Sequence, residues 1–180
     1  MTQNQKHILL IGFKHAGKTS VGRFLSEKME KPFVDLDEKI EEEFAKQKGQ
    51  KLSVRQIVLQ EGLDNFRQLE NEVLTMVLNL ADQHIVALGG GTPINDKNRE
   101  LIVAHQVVHI TADKSNIYER IMINGRPAFF NEDEDPYMAF RRVWDEREHI
   151  YDEIAQITVN NNDELERPVN ELERIFNNLM

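Results

Sequence analysis

Eight residues, Gly12-Phe13-Lys14-His15-Ala16-Gly17-Lys18-Thr19, constrain this chain more than any other stretch. Two glycines bracket four residues and are followed by lysine and threonine, the pattern of a phosphate-binding loop. The pattern gains weight from its flanks. It follows directly on Ile8-Leu9-Leu10-Ile11, a continuous apolar run of strand length, and precedes Val21, Phe24, Leu25 and Met29 at helical spacing. A buried strand, a glycine loop and a helix in that order converge backbone N–H groups and the positive end of a helix dipole on one anion. Lys18 is then placed to reach the outer phosphates of a nucleotide, and the Thr19 hydroxyl to ligate magnesium. Gly12, Lys14, His15, Ala16, Gly17, Lys18, Thr19 and Ser20 become the candidate nucleotide contacts. His15 occupies a variable slot that needs no side-chain chemistry.

The rest of the chain repeats the strand-then-helix order. Residues 33–37 read as a second short strand breaking into a helix that carries Ile40 and Phe44 and is closed by Gly49. Residues 52–81 are helical, with a break at Gly62 and with Phe66, Leu69, Val73, Val77 and Leu80 on one face. A third buried strand is predicted over 84–88 and a fourth over 106–110, with a helix near 97–104 between them and Asp113 capping the helix that follows. Residues 154–159 fit a fifth strand, and Pro168 opens a terminal amphipathic helix containing Val169, Leu172, Ile175, Phe176 and Leu179. This alternation predicts an α/β fold in which helices cover both faces of a mainly parallel five-stranded sheet. At 180 residues, one domain over 1–180 is expected. Residues 124–136 show no periodicity and end in an acidic run, so they read either as a mobile lid or as a solvated surface loop.

Charge and composition narrow the partners. Lysine and arginine number 22 against 31 aspartates and glutamates, a net charge of −9, which argues against duplex nucleic acid. The chain has no cysteine, which excludes disulfides, thiolate metal sites and cysteine nucleophiles together. No apolar run is long enough to span a bilayer, and the run at residues 8–11 is too short for a signal-peptide core, so a cytoplasmic protein without membrane partners is expected. His105 and His109 flank a predicted strand, where their spacing does not converge on a metal.

Further constellations follow the loop. Asp35 and Asp37, two apart at a strand end, share a face in an extended chain beyond the carboxyl edge of the sheet, where open α/β sheets bind ligands. One carboxylate could organise magnesium and the other accept a hydroxyl proton; a solvated turn with a helix cap is the plainer alternative. Arg67 and Glu70 are spaced to pair on a helix, either holding the guanidinium ready for a carboxylate or as surface decoration. Gly89-Gly90-Gly91 after an apolar strand permits close approach of backbone to a ligand. Arg126-Pro127 falls in the patternless segment, and Arg147 precedes Tyr151 after an amphipathic helix.

Taken in order, the loop Gly12 to Thr19, Asp35-Leu36-Asp37, Phe66-Arg67-Gln68-Leu69-Glu70, Gly89-Gly90-Gly91, Arg126-Pro127 and Arg147 in Glu146-Arg147-Glu148-His149-Ile150-Tyr151 resemble the shikimate kinase family. The resemblance implies a three-layer P-loop kinase fold with a lid over about 124–136. It also implies phosphorylation of the 3-hydroxyl of shikimate by ATP with Mg2+, in aromatic amino-acid biosynthesis. On the same basis, Asp37, Arg67, Gly89, Gly90, Gly91 and Arg147 hold shikimate, with the two arginines on its carboxylate. Thr19 and Asp35 support magnesium, Lys18 and Arg126 stabilise the transferring phosphoryl group, and Arg120 is matched to an adenine contact. Lys18, Asp37 and Arg126 are thereby the expected catalytic residues, in a chain acting as a monomer. Leu63, where the family usually has glutamate, and Ala128-Phe129-Phe130 after the lid proline depart from the family pattern. The two arginines do not separate shikimate from another hydroxy acid such as gluconate. A nucleotide-binding regulatory module is the alternative from another class; it would need neither Asp37 nor a lid arginine.

Overall fold

The structure is a computed structural model that describes residues 6–124 and 134–179. Its strands are β1 (Ile8–Ile11), β2 (Phe33–Asp35), β3 (Ile85–Ala87), β4 (Gln106–Thr111) and β5 (Ile157–Asn160). They form one sheet, all neighbours parallel, in the order β2-β3-β1-β4-β5. Apolar runs without alternation suit this arrangement, since a parallel sheet is covered on both faces: every residue of β1 and β3 is buried. Leaving β1 the chain passes over β3 to reach β2, and it later returns to the other side of β1 as β4. The crevice that opens at such a reversal lies at the carboxyl ends of β1 and β3.

Eight α-helices lie among the described residues: α1 (Lys18–Met29), α2 (Leu36–Lys48), α3 (Val54–Glu61), α4 (Leu63–Leu78), α5 (Asp96–Ile102), α6 (Lys114–Asn124), α7 (Pro136–Ile154) and α8 (Glu166–Leu179). Local chemistry sets their ends. Ser53 and Gln56 form a reciprocal capping box on α3, Gly49 ends α2 at φ 70, and Asp135 caps α7 with Pro136 in its first turn. Gly62 separates α3 from α4 at φ 82, as its position in the helical pattern predicts.

Several sequence expectations are corrected in detail. Ile154 ends α7 and β5 begins only at Ile157, because Gln156 turns its side chain to accept from the Val107 N–H before the strand pairs with β4. Leu80 lies beyond α4 and is exposed, and Phe24 is 45% exposed although it falls at the spacing of the buried residues of α1. The buried face of α1 is made instead by Lys18, Val21, Gly22 and Leu25, with the Phe33 ring packed against Gly22.

At Gly22 a Cβ would lie 2.4 Å from Phe33 Cε2 and 3.0 Å from Leu10 Cδ1, so helix and sheet touch through a missing methyl. Elsewhere in a helix Gly→Ala stabilises by about 1 kcal/mol. Here Gly22→Ala is expected to destabilise by about 1–3 kcal/mol through overpacking, read from the urea midpoint. Stabilisation would show that α1 is not seated so closely on the sheet.

Candidate active site

The loop between β1 and α1 is built for close approach. Gly12 has φ 136, and a Cβ there would sit 2.2 Å from the Ile110 carbonyl oxygen of β4. Gly17, at φ 98, is the N-cap of α1 and no side chain caps the helix, leaving its first N–H groups directed at the cleft. Phe13 is buried against Phe140 and Trp144 of α7, at ring separations of 5.5 and 5.3 Å, which anchors the loop from behind. The Lys18 ammonium donates to the carbonyls of Gly12 and Phe13, each at 2.9 Å. Burial pushes its pKa down to about 8, against the opposing pull of Asp37 and Asp35. His15 stands at φ 64; burial, then Lys14, Lys18 and Arg120, lower its pKa from an already near-neutral value, so it enters the site uncharged at pH 7.

The two aspartates meet by a different route from the strand alternation expected of them. Asp35 is the last residue of β2 and the cap of α2: its Oδ1 accepts from the N–H groups of Asp37 at 3.0 Å and Glu38 at 3.4 Å. Asp37 is therefore helical, in the first turn. The other Asp35 oxygen accepts from the Thr19 hydroxyl at 2.7 Å, so cap and phosphate loop share one carboxylate. Burial, then the Asp35 charge, raises the Asp37 pKa to about 6, with Lys18 opposing. Lys14, His15, Gly17, Lys18, Thr19, Ser20, Asp35, Asp37, Gly89, Gly90 and Arg120 all line one cleft of about 370 Å³, together with Leu88 and Asn124.

Beside this cleft the Arg67–Glu70 pair is no surface decoration. Glu70 is 2% exposed; it binds the Arg67 guanidinium at 2.6 Å, accepts from Thr92 Oγ1 at 2.8 Å and from Asn98 Nδ2 at 3.1 Å. Asn98 also donates to the Thr92 carbonyl and accepts from Asn71, so the anchor is fully hydrogen-bonded. A Cβ on Gly91 would lie 2.5 Å from Arg67 NH2, and one on Gly89 2.8 Å from Asp37 Oδ1. None of the three glycines adopts left-handed backbone; their role is to leave room. Tyr151 donates its hydroxyl to the Gly90 carbonyl. Burial raises the Tyr151 pKa to about 12, with Arg147 and then Arg67 acting in the opposite sense. The Arg147 guanidinium also lies over the Phe13 ring, 6.0 Å from its centroid.

Arg126 and most of the segment 124–136 lie outside the described residues. Of the acidic run, Glu134 pairs with Arg142 at 2.9 Å and Asp135 caps α7. His109 lies within β4, its Nδ1 3.1 Å from Asp152 Oδ1, and His105 accepts from the His7 N–H at the opposite edge of the sheet. Four residues of the architecture were not singled out for function from the sequence: Thr92 and Asn98 beneath Glu70, Tyr151 beneath Gly90, and Asn161, whose Nδ2 donates to the Ala16 carbonyl at 2.8 Å. Arg120 reaches the same corner, donating to Asn161 O at 2.9 Å and to His15 O at 3.4 Å.

A parallel sheet with a phosphate loop at its reversal, two carboxylates beside that loop and an anchored arginine next to them define a P-loop phosphotransferase for small molecules. Comparison with known proteins narrows the class. A sequence profile described as shikimate kinase matches residues 14–178. A shikimate kinase from Macrococcus caseolyticus is 32% identical over 91% of this chain and 92% of its own length. A bifunctional shikimate kinase/3-dehydroquinate synthase from Thermotoga maritima is 31% identical over 83% of this chain, which spans only 28% of that longer protein. The structure of a shikimate kinase from Acinetobacter baumannii in complex with shikimate superposes with a TM-score of 0.83 at 28% identity, covering 97% of this chain and 94% of the other. The chain belongs to the shikimate kinase family.

Because Glu70 is buried with three donors converging on it, removing it leaves Arg67, Thr92 and Asn98 without their acceptor. Glu70→Ala is expected to cost about 3 kcal/mol in urea unfolding. A change within the scatter of surface substitutions would mean that the pair is not the anchor described.

Proposed function

We propose that this protein transfers the γ-phosphoryl group of ATP to the 3-hydroxyl of shikimate, in aromatic amino-acid biosynthesis, and that the cleft described above carries out the transfer. The observation that supports this most is the placement of Lys18 and Asp37 in one cleft, beside an arginine fixed by a buried glutamate. Mere nucleotide binding needs neither Asp37 nor the anchored Arg67.

In this reading the N–H groups at the start of α1 and the Lys18 ammonium hold the phosphates. Phosphoryl transfer needs in-line positioning and cations about the equatorial oxygens more than covalent help. The Thr19 hydroxyl and an Asp35 oxygen, side by side at 2.7 Å, are the hard oxygen donors that Mg2+ takes while keeping most of its water. Bound there, Mg2+ would neutralise phosphate charge. Asp37 accepts the proton of the acceptor hydroxyl as its oxygen bonds to the γ-phosphorus; the bond from that phosphorus to the bridging oxygen breaks and ADP leaves. A carboxylate made more basic by burial suits this task, being still mostly ionised at pH 7. Arg67 and Arg147 clamp the substrate carboxylate, and Gly89 to Gly91 form the wall against which the ring lies. Arg126, assigned by the family resemblance, adds a cation to the transferring group.

The test is ADP release across a panel of hydroxy acids, with shikimate expected to drive turnover and gluconate not to; release independent of the acid would contradict the proposal. Arg67→Lys keeps the charge and loses the planar fork, so the KM for shikimate should rise about tenfold or more while that for ATP stays. Equal effects on both substrates would place Arg67 elsewhere.

The pH profile follows from the same two groups. Asp37 must be unprotonated and Lys18 protonated, so kcat/KM should rise through about pH 6 and fall above about pH 8. Asp37→Asn should lose the acid limb and Lys18→Arg the alkaline limb, whatever activity remains. Limbs that persist in both variants would exclude these groups as their source.

A further inference from the structure

The three consecutive asparagines that end and follow β5 hold a position that neither the acid clamp nor the phosphate chemistry explains. Asn161 is 7% exposed and fixed at three points. Its N–H donates to the Thr111 carbonyl at 2.8 Å, extending the pairing of β5 with β4 by one residue. Its carbonyl accepts from Arg120 at 2.9 Å, and its Nδ2 donates to the Ala16 carbonyl at 2.8 Å. The orientation of the amide follows from chemistry, since a carbonyl oxygen can only accept and the nitrogen must face it. The neighbours hold the strap still: Asn162 Oδ1 accepts from the Asp113 N–H at 2.6 Å, and the Asn162 N–H donates to Asn160 Oδ1 at 2.9 Å.

A trans peptide unit is planar, so the Ala16 C=O and the Gly17 N–H point in opposite directions. Anchoring the carbonyl on Asn161, which does not line the cleft, therefore turns the Gly17 N–H away from Asn161 and toward the residues that do. Gly17 is glycine for a second reason beyond its φ of 98: a Cβ there would lie 2.1 Å from Asn161 Nδ2. The strap and the loop are fitted to one another.

We propose that Asn161 is a positioning residue of the nucleotide site, its carboxamide fixing the Ala16–Gly17 peptide so that the Gly17 N–H is aimed at a bound phosphate in advance. This rests on the reading of the loop as the ATP site. Such preorganisation acts on the nucleotide and leaves the acid clamp of Arg67 and Glu70 untouched, because no contact joins Asn161 to that clamp among the described hydrogen bonds.

The test compares the full chain with Asn161→Ala and Asn161→Asp by calorimetric titration of Mg·ADP and, separately, of shikimate. Asn161→Ala should weaken ADP about tenfold, the equivalent of one hydrogen bond, and leave shikimate affinity unchanged. Asn161→Asp keeps the volume but offers no donor and brings a negative charge to the phosphate loop, so it should weaken ADP further, again without effect on shikimate. It decides the question should the alanine variant unfold. Wild-type ADP affinity in either folded variant overturns the proposal, and so does a parallel loss of both ligands, which is what a merely structural role would give. Wild-type protein that binds shikimate but not ADP would overturn the reading of the loop itself, and this inference with it; that failure is distinguishable because it needs no variant.

Discussion

Two side chains and one loop of backbone press on three glycines that follow β3, and the site depends on that contact. Asp37 lies against Gly89, the phosphate loop against Gly90, where a Cβ would meet Lys14 N at 3.3 Å, and Arg67 against Gly91. Tyr151 holds the middle of the turn from below through the Gly90 carbonyl. The glycines thus form a thin wall on which the phosphate loop, Asp37 and Arg67 are all gauged. Any side chain in the wall would push one of these groups out of register, and phosphoryl transfer depends on alignment.

The second constraint is charge. The chain as a whole carries −9, yet its cleft gathers Lys14, Lys18 and Arg120, and it holds a buried Lys18 and a half-buried Asp37 together. Burial alone would drive either group toward its neutral form; each restrains the other's shift. The outcome is a base stronger than an ordinary aspartate and a cation weaker than an ordinary lysine, both in their working forms near neutrality. Asp35 takes part in both through one oxygen on the α2 cap and the other on Thr19. A helix cap thereby fixes the spacing between the Thr19 hydroxyl and Asp37.

Local features of the fold were legible in the sequence, and contacts made across long stretches of chain were not. The phosphate loop, the five strands and the breaks at Gly49 and Gly62 are written in neighbouring residues, and the structure repeats them within a few positions. Asp35 and Asp37 were read as a pair on a strand; they are a cap and a helical residue, because the capping bonds start α2 at Leu36. The spacing of Arg67 and Glu70 announced a pair but not its burial, which is set by Thr92 and Asn98, 22 and 28 residues farther on. Asn161 was opaque for the same reason: its partner is 145 residues away. Gly89 to Gly91 were read as permitting close approach of backbone to a ligand; that Asp37, the phosphate loop and Arg67 lie against them could be told only from the folded chain.

Replacing Gly91 by alanine tests the central claim, that this turn gauges the acid clamp separately from the phosphate loop. The measurement is kcat/KM for shikimate and the KM for ATP in the folded variant. The added methyl meets the Arg67 guanidinium and should cost shikimate on the order of 100-fold in kcat/KM while the KM for ATP remains that of the wild type. An unchanged value for shikimate, or equal losses for both substrates, would contradict the account.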